Sequence, residues 1–231
     1  MEDGKKMIKI NILYEDNHLL VVEKPINMLS QKDNTNDKDL LTLVKEYIKE
    51  KYHKPGNVYV GLVHRLDRPV GGIMVFAKTS KAATRLSKEI SQHKMRKYYL
   101  AIVDGIIKED KGTYKDKIKR QENGFSIIKE DGKDAILDYE VLKRDEKENK
   151  TLVKISLKTG RHHQIRVQLS HANHSIFGDQ KYGTRGKGKQ IALWAYELTI
   201  QHPITKEEMT FKCLPESNGT WCILKDVKNI I

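Results

Sequence analysis

One carboxylate in this chain stands where a carboxylate can do chemistry. Asp67 lies in "HRLDRPVGG" (64–72), between Arg65 and Arg68 and just ahead of Gly71 and Gly72. An acid beside arginines is ordinarily a surface ion pair of little energetic consequence. Here it falls at the mouth of an apolar run, "GGIMVFAKT" (71–79), in a loop whose glycines permit positive φ or close backbone approach. Loops at strand mouths are where sites tend to be built. Flanking guanidinium groups would lower the carboxyl pKa and keep it ionised at neutral pH, as a nucleophile or base requires. The same pairing would make it a poor general acid.

Two further stretches carry candidate groups. "TGRHHQIRVQLSHANH" (159–174) gathers Arg161, His162, His163 and Arg166 at the expected start of a helix after a Gly turn, which suits phosphate or another anion. His162, His163, His171 and His174 also offer metal-ligand spacings. The interleaved Arg161 and Arg166 would repel a divalent cation, however, and no carboxylate sits alongside. Anion or RNA contact is preferred over metal binding. In "RKYYLAIVDG" (96–105) Tyr98 and Tyr99 alternate along a strand, so one faces the core and the other the opposite side, where a ring could stack on a nucleobase.

The elements that must position these groups follow from patterning. "INILYEDNHLLVVEKP" (10–25) alternates apolar and polar residues on either side of Glu15-Asp16-Asn17 and reads as two strands joined by a tight turn. Asp39 can cap a helix with Leu40, Leu41, Val44, Tyr47 and Ile48 on one face, ended by "HKPGN" (53–57). Residues 71–79 form a buried strand running into Thr79, an N-cap for a helix that turns Ala82, Ala83, Leu86 and Ile90 inward. Strands are expected over 97–105 and 151–160, hairpins between 110 and 150, a helix over 161–172, and closing strands at 191–200 and 209–214. Strands dominate and helices come in irregular order, so the fold class is α+β, with flanking helices on a mixed, mostly antiparallel central sheet.

Composition agrees with one globular unit over 231 residues, at 38% hydrophobic and 32% charged, rather than a disordered chain. The formal net charge of +12 attracts polyanions, RNA or DNA above all, although part of the Lys excess is ordinary solvated surface. Cys213 and Cys222 are too few for a disulfide scaffold and lack zinc-ribbon spacing. No apolar run approaches bilayer length and "MEDGKKMIKI" has no signal-peptide core. A cytoplasmic protein with reduced thiols and no membrane partner is expected, a monomer by default.

Taken in order, these stretches resemble the RluA/RsuA-like pseudouridine synthases. The likeness runs from "VVEKPINMLS" (21–30) through "HRLDRPVGGIMVFAKTSKAA" (64–83) and "KYYLAIVDG" (97–105) to "TGRHHQIRVQLSHANHSIFGDQKYG" (159–183) and "LWAYELTIQHPIT" (193–205). "HRLD" followed at this distance by "TGRxHQIR" is far more specific than either alone. The resemblance implies isomerisation of uridine to pseudouridine in structured RNA, ribosomal ahead of transfer RNA, with no cofactor or metal. It implies the pseudouridine synthase catalytic fold over 1–231, without an amino-terminal S4 RNA-binding module or an obligatory protein partner. Asp67 takes the place of the essential carboxylate, which attacks the ribose or removes a sugar proton. Tyr99 takes that of the tyrosine stacking on the target base and receiving the C5 proton, and Arg166 that of the basic partner of the acid. Arg65 matches a residue that helps displace the flipped nucleotide; His64, Arg161, His163 and Gln164 are grouped with it as RNA-contacting. The alternative is a catalytically silent RNA-binding or ribosome-assembly module on the same fold. Three departures stand out: Val70-Gly71-Gly72 replaces the usual "TSG", Asn27 replaces the glycine of "KPxG", and His162 stands where a small hydroxyl residue is commoner.

Overall fold

The computed structural model describes residues 10–35, 37–183, 186 and 189–227. β1 (Asn11–Glu15) and β2 (Leu19–Lys24) pair across a turn in which the Asp16 carboxylate accepts the N–H groups of His18 and Leu19 at 2.7 and 2.6 Å. The Asp39 carboxylate accepts the Thr42 N–H at 3.0 Å and so starts α1 (Leu40–Lys51), which buries Leu40, Val44 and Ile48. A short β3 (Gly61–Leu62) precedes β4 (Gly71–Ala77), which is buried along its whole length. Thr79 caps α2 (Ser80–Ser91) by accepting the Ala82 N–H at 3.1 Å. The strands β5 (Arg96–Asp104), β6 (Lys111–Arg120), β7 (Ser126–Ile128), β8 (Lys133–Asp145) and β9 (Lys150–Leu157) follow. Then come α3 (Gln164–His171), β10 (Leu193–Gln201) and β11 (Glu208–Lys212), with a 3₁₀ segment over Gly219–Asp226.

All the strands join one sheet in the order β1-β2-β4-β10-β5-β9-β8-β6-β7, with β11 on β10 and β3 on β4. Every pairing is antiparallel except β4 with β10, so the fold is the expected mixed, mostly antiparallel α+β arrangement. Period-two alternation sends Leu20, Val22, Met74 and Phe76 to the face packed with Val44 and Ile48 of α1. Leu19, Val21, Ile73 and Val75 go to the other face, against Ala82 and Leu86 of α2. Among the described residues no helix is long and apolar enough to cross a membrane.

Two expectations need correction. The helix expected over 161–172 starts at Gln164, because His162 and His163 form a turn closed by the Gln164 N–H on the Arg161 carbonyl, and His163 is the N-cap, with φ 55 and ψ 22 in the left-handed region. The "closing" strand at 191–200 lies in the middle of the sheet, between β4 and β5. Leu193–Tyr196 and Leu198–Ile200 are all buried, the pattern of a strand covered on both faces.

The glycine pair behind Asp67 is fixed by that parallel pairing. Gly71 and Gly72 lie opposite Trp194 and Ala195. A Cβ on Gly71 would overlap the Trp194 ring, and one on Gly72, whose φ is 121, would overlap the Ala195 carbonyl. Gly72→Ala combines strain with overpacking and is expected to lower unfolding free energy by about 3 kcal/mol, read as a shift of the urea midpoint at unchanged m-value.

Candidate active site

The loop carrying Asp67 is tied down residue by residue. Ser30 Oγ donates to the Leu66 carbonyl at 2.7 Å and accepts the Leu66 N–H at 3.1 Å. Lys24 Nζ donates to the carbonyls of Arg68, Pro25 and Met28 at 3.0, 3.0 and 2.6 Å. Gln190 Nε2 donates to the Pro69 carbonyl at 2.6 Å. These ties brace a loop that lacks the family's hydroxyls. Lys24 is wholly buried, and burial brings its pKa down to about 7 although the Asp67 charge opposes the fall. Asn27 adopts φ 59, keeping the turn that glycine normally makes.

With its backbone held, Asp67 keeps a side chain 28% exposed. Arg166, from α3, donates Nη1 to Asp67 Oδ2 at 2.9 Å. Its other two donors form a fork on Asp179: Nε to Oδ2 at 2.8 Å and Nη2 to Oδ1 at 2.7 Å. Asp179 is fully buried and also accepts the N–H groups of Lys181 and Tyr182 at 2.8 and 3.2 Å. Burial works against the charge on Arg166, but hydrogen bonding and charge from Asp179, then Asp67, outweigh it and raise its pKa. Burial likewise pushes Asp179 up, and Arg166 with the two backbone donors brings it below its ordinary value. The result is a guanidinium clamped between a buried acid and a half-exposed one.

Tyr99, on β5, is buried, and burial raises its phenol pKa well above the ordinary value, with the Asp67 charge adding to the rise. It is therefore a neutral phenol near the carboxylate. Tyr98 points to the other face, under Lys154 Nζ at 4.9 Å from its ring.

The arginines flanking the acid do not hold it. Arg68 pairs with Asp37 at 2.8 Å, and Arg65 is exposed with no ion pair among the described residues. The cation that pairs with Asp67 comes instead from 99 positions away. Gln164 is buried and its amide is spent internally, accepting from Thr159 Oγ1 and Arg161 N and donating to the Ile136 carbonyl. Buried and bonded through both amide atoms, it shapes the turn before α3. Arg161 Nε donates to the Asp134 carbonyl at 2.8 Å. His64 Nε2 accepts the Val75 N–H at 3.0 Å, which fixes that nitrogen as unprotonated. His162 stacks on His163 at 3.7 Å and lies 2.9 Å from Ser126 Oγ, whereas His174 turns to the Asp104 carbonyl at 3.2 Å. Among the described residues no three His, Cys, Asp or Glu side chains converge as metal ligands.

A family model described as RNA pseudouridylate synthase matches residues 18–171. The chain belongs to the RNA pseudouridylate synthase family. It is 34% identical, over 89% of its length, to an uncharacterized RNA pseudouridine synthase of Aquifex aeolicus, and spans 69% of that protein. It is 35% identical, over 87% of its length, to the dual-specificity RNA pseudouridine synthase RluA of Haemophilus influenzae, and spans 91% of it. It covers 66% of the H. influenzae ribosomal large subunit pseudouridine synthase D, at 34% identity. The solved structure of human RNA pseudouridylate synthase domain containing 4 shares the fold, with a TM-score of 0.77 at 22% identity over 94% of this chain and 93% of that one.

Membership makes this pseudouridine synthase an isomerase, and its clamp contains residues that motif reading left out. Asp179 sits in "FGDQKYG" (177–183), which reads as a turn rather than as a buried partner. Its one signal is an acid flanked by apolar residues and glycines close behind the basic helix. Tyr182 donates or accepts at His163 Nδ1, 2.8 Å away, and accepts the Ser126 N–H at 2.8 Å. No sequence pattern places Ser126 there.

These neutral imidazoles leave a pH signature. Burial, with Lys97 adding, holds His64 down to about 3; burial holds His163 down to about 4, Asp67 opposing and Arg166 adding. In the unfolded chain both titrate near 6.5, so below about pH 6.5 the unfolded state binds more protons and stability falls. The contribution is complete above that pH and declines towards each folded value, by up to about 1.4 kcal/mol per histidine per pH unit. Most carboxylates titrate below about 4.5 when unfolded, so from about pH 6.5 to 4.5 the falling stability comes from the lowered histidines, His162 included, and Glu89, raised by burial, opposes it. Urea melts across that interval should show falling stability, and His64→Gln, which keeps an acceptor for Val75, should flatten the slope; an unchanged slope would contradict the assignment.

Proposed function

We propose that this chain converts uridine to pseudouridine within structured RNA, with Asp67 as the essential carboxylate, Arg166 as its partner and Tyr99 as the aromatic surface for the target base. The observation that carries the reading is Asp67 itself: an acid at a strand mouth, part-exposed, braced by a buried guanidinium and set near a buried tyrosine. The reaction is an isomerisation. The N1–C1′ bond breaks, a C5–C1′ bond forms, the C5 proton leaves and N1 gains one, so no atom or electron is exchanged with a cofactor. Asp67 enters by attack on the ribose or by removing a sugar proton, and an ionised carboxylate serves either step. The rise in the Tyr99 pKa favours stacking over proton abstraction, because a neutral phenol is a weak base.

A paired uridine hides C1′ and C5, so the nucleotide must be everted, at a cost of about a few kcal/mol in lost stacking. The +12 charge supplies phosphate contacts that offset this cost. Exposed Arg65, Arg120 and Lys181 stand near the site for that purpose. Ribosomal RNA is favoured over transfer RNA, since several relatives are named for the ribosomal large subunit and one for tRNA.

Incubating the purified protein with unmodified total RNA from a strain lacking its gene, then mapping pseudouridine, tests the proposal. Asp67→Asn should lower turnover by about 10³-fold or more while RNA affinity stays within about threefold. Arg166→Met should cost about 10²-fold in turnover. Equal complementation of a growth defect by wild type and Asp67→Asn would indicate a silent RNA-binding module instead. Raising salt from about 50 to 200 mM should weaken RNA binding by about 10²-fold or more through lost counterion release; a flat response would contradict the electrostatic account.

A further inference from the structure

Asp67 has two oxygens, and both of its neighbours take the same one. Arg166 Nη1 lies 2.9 Å from Oδ2 and His163 Nε2 lies 3.5 Å from it. Among the described residues, Oδ1 accepts no hydrogen bond. The position of His163 is unusual in itself. It caps α3 in the left-handed region, which is strained for a residue with a side chain, yet its ring gives the helix no capping bond. The ring is fixed elsewhere, stacked on His162 with Nδ1 2.8 Å from the Tyr182 hydroxyl.

That hydroxyl bears on the tautomer. Tyr182 Oη already accepts the Ser126 N–H, so its own hydrogen is available to His163 Nδ1. A neutral imidazole that accepts at Nδ1 carries its proton on Nε2, the nitrogen facing Asp67. We infer that His163 is an Nε2-protonated, neutral positioning residue that joins Arg166 in reserving Oδ2 of Asp67, so that Oδ1 is the oxygen offered to the substrate sugar. Burial, with Arg166, His162 and Lys181 adding, holds the ring neutral against the pull of Asp67. A separation of 3.5 Å is long for a hydrogen bond, and such contacts tighten when substrate completes a site. The RNA contact that the resemblance implies for His163 gives way, on this inference, to an internal donor linked, through Tyr182, to the β6–β7 hairpin.

The inference rests on Asp67 being the reacting acid, and its test separates the two. The full chain labelled with ¹⁵N-histidine, with the His163 signals assigned by their loss in His163→Gln, should show an Nε2–H tautomer at pH 7 that stays neutral to pH 5.5. An Nδ1–H tautomer or a cationic ring at pH 7 would overturn it, whatever the activity. Tyr182→Phe should mix the tautomers; an unaltered spectrum would break the proposed link. In single turnover on the unmodified total RNA, His163→Phe should slow the bound reaction about 10- to 100-fold at unchanged RNA affinity. His163→Gln, whose amide can donate from a similar position, should recover most of that loss. Loss of affinity with an unchanged bound rate would make His163 an RNA contact and sink the inference. His163→Gly, which removes the ring and relieves the backbone, provides the same readout if the phenylalanine variant misfolds. Full turnover by Asp67→Asn would instead remove the reading of Asp67, independently of the tautomer.

Discussion

The site depends on one guanidinium shared by two carboxylates. Removing a charge from water costs several kcal/mol per ion even after relaxation, and only well-formed hydrogen bonds make burial tolerable. Asp179 meets that demand for Arg166 with a two-pronged bond and is itself satisfied by two backbone N–H groups. Because both prongs are committed, the guanidinium plane cannot swing, and its remaining Nη1 is aimed at one atom of Asp67. The arrangement carries two negative charges against one positive charge. The surplus sits on the member of the trio that reaches solvent.

Such an arrangement demands that distant segments meet with sub-ångström fidelity, and the scaffold shows how they do. The carbonyls around Asp67 are held by Lys24 and Ser30, from one stretch of chain, and by Gln190, from another. Close strand packing places the loop: Trp194 and Ala195 lie against Gly71 and Gly72, where no side chain fits. On the opposite wall, the Gln164 amide bonds the turn before α3 to β8 and so sets where Arg166 begins its helix. Chemistry therefore rests on backbone contacts that no motif displays.

Local rules read the local features. Alternation gave β1 and β2, a continuous apolar run gave β4, and the side chains of Asp39 and Thr79 marked the two helix starts, because each signal is contained within a few residues. Asp67 was legible from its place at a strand mouth. Its environment was not, since Arg65 and Arg68 are neighbours in sequence only: Arg68 turns to Asp37, and the holding cation arrives through tertiary folding. The matching of Arg166 to the acid came through the family likeness, not through spacing. Asp179 escaped because an acid between glycines looks like a turn, and the start of α3 was misplaced because His163 occupies a left-handed conformation that favours glycine or asparagine. β3 is too short for any periodicity to reveal.

The central place of β10 bears on how this chain comes into being. The strand leading out of the Asp67 loop and the strand bearing Tyr99 never touch as neighbours; residues 193–201 lie between them. A nascent polypeptide emerging from the ribosome therefore holds two unjoined half-sheets with exposed edges until residues 193–201 are released. Pairings of such long sequence separation form slowly and leave intermediates prone to association. A truncated product would lack the keystone between its halves, and so could not present acid and tyrosine together to any nucleotide.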